Sequence, residues 1–188
     1  MSYARTCYKL VIMTHTWSSI FRKDKDEELI MNTLKKCFLF DSFNASELSI
    51  IRESVHIRKY NVGENVFEQH QAGTGMYIIV NGKILIEAER VFVDPKTGVA
   101  NKRILKIVYL KDGYFFGELA LVEDESVRNA TAKVMEPTLL IGFFKPDFIQ
   151  IINTRPSLGL KLSLKIAQAL AERIEQFTEE LHKLRFEN

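Results

Sequence analysis

With 188 residues, 46% of them hydrophobic and 27% charged, the chain is long enough for one domain with a sizeable core and too short for two large ones. Its formal charge is only +2 and its 26 Lys and Arg form no long basic run, so direct DNA binding lacks an electrostatic footprint. No apolar run approaches the roughly 18 residues of a membrane span, and Cys7 and Cys37 are too isolated for a disulfide framework or a tetrahedral zinc site, which together point to a reduced, cytoplasmic protein with no bound metal.

Residues 1–25 show no clear period, and the FRKDKDEE stretch over residues 21–28 is dense in charge, so residues 1–27 read as an irregular arm. Trp17, Ile20 and Phe21 on that arm either pack on their own domain or dock on a partner. From Glu28, the apolar positions Ile30, Leu34, Cys37 and Phe38 recur at helical spacing, and Asn44 with Glu47 forms a capping-box pattern ahead of Leu48, Ile51 and Val55. Two short helices therefore precede the core.

The texture then changes to short β-rich runs (VHIRKY, NVGENVFEQ, GMYIIVNGKILIEAE, KRILKIVYL, ATAKVMEPTLLIGFF) separated by Gly, Asn, Asp and Pro, with Asn81-Gly82 a tight-turn signal. The expected fold class is α+β, mainly β: a β-roll or jelly-roll core with flanking N-terminal helices and a long C-terminal helix. Residues 94–98, DPKTG, should tip a long hairpin.

Within this β region, residues 116–132 (FGELALVEDESVRNATA) place one carboxylate, Glu118, and one guanidinium, Arg128, at the two ends of a short loop. Gly117 allows close approach of backbone to a ligand, and the peptide N–H groups after it can bond an anion. A guanidinium fork suits two phosphate oxygens, while a carboxylate accepts, as from a ribose hydroxyl. The loop thus offers both halves of a nucleotide grip. After Asn153 a helix is expected, with Leu160, Ala167, Leu170, Ile174, Phe177, Leu181 and Leu184 forming a heptad seam that serves either docking on the β-core or pairing with a second copy.

With these pieces assembled, the chain resembles the cyclic nucleotide-binding domain family, which includes protein kinase A regulatory subunits, cyclic-nucleotide-gated channels and the bacterial catabolite activator protein. The resemblance covers about residues 28–186 and rests on FGELAL followed by RNAT, with Gly63-Glu64 and GMYIIVNG in support. The Glu118 to Arg128 spacing equals that of the catabolite activator and points to a stand-alone bacterial member. The implied organisation is an arm at 1–27, a cyclic nucleotide-binding domain at 28–153, and a lid or dimerisation helix at 154–188.

The resemblance implies that Glu118 accepts the ribose 2′-hydroxyl and that Arg128 pairs with the cyclic phosphate. Backbone N–H groups of about Ala120 and Asn129 complete the cradle, Gly117 and Leu119 line the sugar, and Thr131 closes the motif. Arg173, Phe177 and Thr178 on the trailing helix are candidate caps for the base, although Phe177 also sits on the heptad seam. Val127 stands where a Pro often precedes the Arg, and the acidic tip Glu123, Asp124 and Glu125 should face water. Asn129, where guanine-preferring members often carry Ser or Thr, tilts the implied ligand toward cAMP, with cGMP or a cyclic dinucleotide still open.

The implied function is a regulatory sensor, not an enzyme, whose C-terminal helix relays ligand binding to an effector protein or a homodimer mate. The rival from another class is a protein-interaction scaffold on a degenerate nucleotide-binding fold with no physiological ligand. A metal-binding cupin would need clustered histidines, and His15, His56, His70 and His182 stand apart.

Overall fold

The structure is a computed structural model and describes residues 27–186; Cys7, His15, Trp17, Ile20 and Phe21 lie outside that range. A helix over residues 27–36, α1, turns Ile30 and Leu34 into the core. Cys37 comes next, fully buried, and burial pushes its thiol up to about 12, so the sulfur stays protonated and unreactive. A single 3-10 turn, Phe38–Phe40, leads to α2 (Ala45–Glu53). The capping box forms as expected. Asn44 Oδ1 accepts from the Glu47 N–H at 3.0 Å and Glu47 Oε2 accepts from the Asn44 N–H at 2.8 Å, which satisfies two helix-end donors.

The described residues then form eight strands: β1 (Val55–Tyr60), β2 (Asn65–Phe67), β3 (Gly75–Asn81), β4 (Ile84–Val93), β5 (Ala100–Leu110), β6 (Phe115–Phe116), β7 (Thr131–Val134) and β8 (Thr138–Phe144). They make two four-stranded antiparallel sheets, β1-β8-β3-β6 and β2-β7-β4-β5. This is the expected β-roll with helices on one side. Alternation on β3 shows how the layers are built, since Met76 and Ile78 pack with the helices while Tyr77 and Ile79 join Ile84, Leu110, Phe116, Val134 and Leu140 between the sheets. At Asn81-Gly82 the chain reverses with Gly82 at φ +111°, which a side chain would resist. Residues 94–98 tip the β4–β5 hairpin, where Asp94 Oδ1 accepts from the Lys96 N–H at 2.8 Å.

Beyond β8 come two helices, α4 (Lys145–Thr154) and α5 (Pro156–Phe186). The earlier one lies ahead of the point after Asn153 where the sequence reading expects its helix to begin. Arg155 between them sits at φ −140°, ψ 67°, because the residue before a proline is pushed out of the helical region. Docking of α5 uses a different stripe from the heptad seam: Leu158, Leu162, Ile166 and Ala169 are buried against the helical side of the core. Leu160, Ile174, Phe177 and Leu181 are exposed, and among the seam residues whose side chains are described only Leu170 is packed against that cluster. Two ion pairs fasten the docked half, Lys161 to Glu47 at 2.7 Å and Lys165 to Asp41 at 2.6 Å.

The two stripes predict opposite costs of truncation. Leu162→Ala should cost about 3 kcal/mol, as a fully buried leucine does, whereas Leu160→Ala should cost less than about 0.5 kcal/mol. Urea unfolding of both variants measures the difference, and equal costs would mean that the seam, not the buried stripe, carries the helix.

Candidate functional site

The residues of FGELALVEDESVRNATA lie together at one end of the β-roll. From β6, which pairs with β3, the chain turns at Gly117 with φ +78° and winds one helical turn, α3 (Leu119–Val122). The Ala120 N–H bonds the Gly117 carbonyl at 3.2 Å and the Leu121 N–H bonds that of Glu118 at 2.9 Å. The acidic tip, Glu123, Asp124 and Glu125, is exposed as expected, and Lys145 at the start of α4 donates to the Glu123 carbonyl at 2.5 Å. On the return, the chain is stitched to residues 70–73: Gly73 N–H to the Ser126 carbonyl at 2.7 Å, Arg128 N–H to Gln71 and His70 N–H to Arg128, both at 2.9 Å.

This stitching delivers Arg128 into the interior, where it is 6% exposed. Its Nη2 donates to the Gly75 carbonyl at 2.7 Å, its Nη1 to the Gly117 carbonyl at 3.2 Å, and its Cζ lies 4.0 Å over the ring of Phe67. Backbone dipoles and a π face therefore hold the cation. Burial lowers the guanidinium below its usual value, while Tyr77 and Glu118 act in the opposite direction, and an arginine so displaced remains charged. Its Nε is buried with no partner among the described residues.

Glu118 is 3% exposed and pairs with Arg173 of α5 rather than with Arg128. The Arg173 Nη1 bonds Glu118 Oε1, and its Nη2 donates to the Phe115 carbonyl at 2.8 Å. The second carboxylate oxygen, Oε2, is buried with no partner among the described residues. So the two ends of the loop each keep one unanswered polar atom, an acceptor on Glu118 and a donor on Arg128. Such atoms are costly inside a protein unless something pairs with them.

Both residues line a cavity of about 480 Å³. Gly117, Leu119, Ala120, Asn129 and Ala130 form its near wall, Phe67, Ile86 and Phe116 its apolar floor, and Ile107 and Val108 of β5 its outer side. Arg173, Gln176, Phe177 and Glu180 of α5 line it as well. Of the residues singled out in the sequence, Thr131 and Thr178 do not line it. The Thr131 hydroxyl accepts from the Gln69 N–H at 3.0 Å, and the Thr178 hydroxyl donates to the Ile174 carbonyl at 2.8 Å. Sequence reasoning passed over Phe67, the Gly75 carbonyl and the β5 wall. Only Gly75, as the first residue of GMYIIVNG, gave a cue, and nothing local tied it to Arg128.

The family model for the cyclic nucleotide-binding domain matches residues 57–155, just over half of the chain. Among curated proteins, the cyclic AMP receptor protein of Thermus thermophilus is 28% identical over 149 residues, 79% of this chain and 62% of that protein. The crystal structure of the Thermus thermophilus catabolite activator protein superposes with a TM-score of 0.63 at 28% identity, over 80% of this chain and 64% of that one. A cAMP-bound structure of PfPKA-R gives a TM-score of 0.54 at 28% identity, over 69% of this chain and 43% of that one. The chain thus spans less than two thirds of the length of these relatives.

Gly117 offers a direct test of how tightly the site is built. A methyl there would sit 2.6 Å from Arg128 Nη1, whereas one at Gly113, also at positive φ, would meet nothing within 4 Å. Both alanine variants bear the cost of left-handed backbone, about 1–2 kcal/mol. Gly117→Ala should lose at least about 1 kcal/mol more, because it displaces a packed side chain. Urea midpoints of the two variants check this.

Proposed function

The chain belongs to the cyclic nucleotide-binding domain family, and from that premise we propose that it is a sensor favouring cAMP over cGMP, with α5 relaying the bound state. The observation that carries this reading is the buried, carbonyl-held Arg128, a cation with no carboxylate spent on it and one N–H still unpaired among the described residues. A cyclic phosphodiester supplies one negative charge and acceptor oxygens for that fork. Glu118 Oε2 takes the ribose 2′-hydroxyl, Gly117 and Leu119 flank the sugar, and the Asn129 N–H adds to the phosphate cradle. The Ala120 N–H contributes only by weakening its long bond to Gly117.

In this reading Phe177 and Gln176, which line the cavity, meet the base, and Arg173 joins the lid helix to the carboxylate that takes the ribose. A ligand that takes over part of Glu118 changes what holds α5. It shifts the helix only by the difference in its affinity for the two helix positions. In this reading residues 28–153 are the binding unit, 154–188 the lid or dimer helix and 1–27 an accessory arm. The output passes to an effector protein or a second copy, and no catalytic step is involved. Support for cAMP comes from Asn129 in place of a hydroxyl residue, and from the relative named a cyclic AMP receptor protein.

Calorimetric titration with cAMP and cGMP tests the ligand. Wild type should bind cAMP at least tenfold tighter than cGMP, about 1.4 kcal/mol, and Arg128→Ala should weaken cAMP by about 3 kcal/mol because the phosphate loses its buried charge partner. Absence of binding by both ligands would sink the sensor and favour a scaffold with a silent pocket. For the relay, amide hydrogen exchange over residues 171–185 should slow or quicken when wild type binds cAMP, and that response should vanish in Arg173→Ala. An unchanged response in the variant would remove Arg173 from the relay.

A further inference from the structure

β5 is an edge strand. It pairs with β4 on one side and ends the sheet on the other, and ten of its eleven residues are exposed. An edge of this length carries a row of backbone N–H and C=O groups able to pair with another strand. Large apolar side chains accompany them, with Ile104 65% and Leu105 42% exposed, and Val91 and Phe92 exposed beside them on β4.

The charge on the strand is one-sided. Lys102, Arg103 and Lys106 are its charged residues, and no carboxylate lies on it. By the pairing with β4, Lys102, Ile104 and Lys106 share one face and Arg103 and Leu105 the other. Lys102 is partly answered across the hairpin by Glu89 at 2.7 Å, and Arg103 lies 5.4 Å over the Phe92 ring. A second copy pairing β5 to β5 would gather six cations in one ribbon with no acid on either strand, which like-charge repulsion disfavours. A lipid surface answers the charge but leaves the edge carbonyls and N–H groups unpaired in hydrocarbon.

We propose that the β5 edge is a docking site for an extended acidic segment of a partner protein, which adds as a strand antiparallel to β5. Its carboxylates lie opposite Lys102, Arg103 and Lys106, and its β-branched residues lie opposite Ile104 and Leu105. Main-chain bonds supply the adhesion and the alternating side chains the selectivity. This rests on the hairpin alone and stands whether or not the cavity takes a cyclic nucleotide.

The probe is the peptide acetyl-Thr-Glu-Val-Val-Glu-Glu-Thr-amide, titrated at low salt into the full chain while backbone amide signals are followed. The expected result is slowed exchange at β5 amides, weakening with added salt as exposed ion pairs do. Lys102→Glu with Lys106→Glu should lower affinity about tenfold or more, since two attractive cross-strand pairs become repulsive, with the urea midpoint recording that the fold persists. A peptide with proline for the second valine should bind much more weakly, because it loses a strand donor. The proposal is overturned if the proline peptide or an all-lysine version binds equally, or if β5 stays unprotected at saturation. It is also overturned if sedimentation shows β5-dependent self-association, or if phosphatidylserine vesicles protect β5 and the acidic peptide does not.

Discussion

The site depends on how a buried cation is held without being neutralised. Arg128 is solvated by the carbonyls of Gly75 and Gly117 and by the face of Phe67, groups that carry dipoles and a quadrupole but no net charge. A carboxylate in the same place would hold the guanidinium more firmly and cancel its field. Both acceptors are glycines, but the close approach of the guanidinium accounts only for Gly117, since Gly75 is crowded by the neighbouring strand. At Gly75 a side chain would press on Phe144 Cα at 2.7 Å, and at Gly117 on Arg128 itself. Burial then amplifies the charge, because the low local dielectric weakens screening of whatever anion arrives.

The carboxylate at the other end of the loop is treated in the opposite way. Glu118 is paired, and its partner comes from α5, 55 residues further along. Arg173 also reaches the Phe115 carbonyl, so the first half of its helix is fixed by apolar burial and the point where exposure begins is fixed by a polar clasp. These two kinds of attachment differ in their relation to the cavity. The buried Leu162 and Ile166 do not line the cavity, whereas the clasp shares its acceptor with the cavity wall.

How much of this could be read from the residues varies with sequence distance. The loop that carries Glu118 and Arg128 is contiguous, so its turn glycine, its acidic tip and its two charges were legible at once. So were the capping box at Asn44 and Glu47, the reversal at Gly82 and the hairpin tip. Phe67 and the Gly75 carbonyl were not, since they meet Arg128 only after β2 and β3 are placed in different sheets. The helix α4 was missed although Pro146 and Asp147 are helix-start residues, because the apolar run of β8 continues straight into it. On α5 the helical period was legible but the docking face was not. Two apolar stripes share that helix, and period alone does not say which of them meets the core.

The geometry of α5 has a mechanical consequence. From Arg173 to Arg185 the helix advances about 18 Å at the usual rise per residue, and all its described side chains from 171 onward are exposed. The segment is held near its start by the Arg173 clasp to Glu118 and to the Phe115 carbonyl, and Gln176, Phe177 and Glu180 beyond it line the cavity. A tilt of about 10° at Arg173 sweeps the far end through about 3 Å, given that rise. That is comparable to the spacing of neighbouring atoms in contact, and enough to turn a fitting surface at the tip into a clashing one.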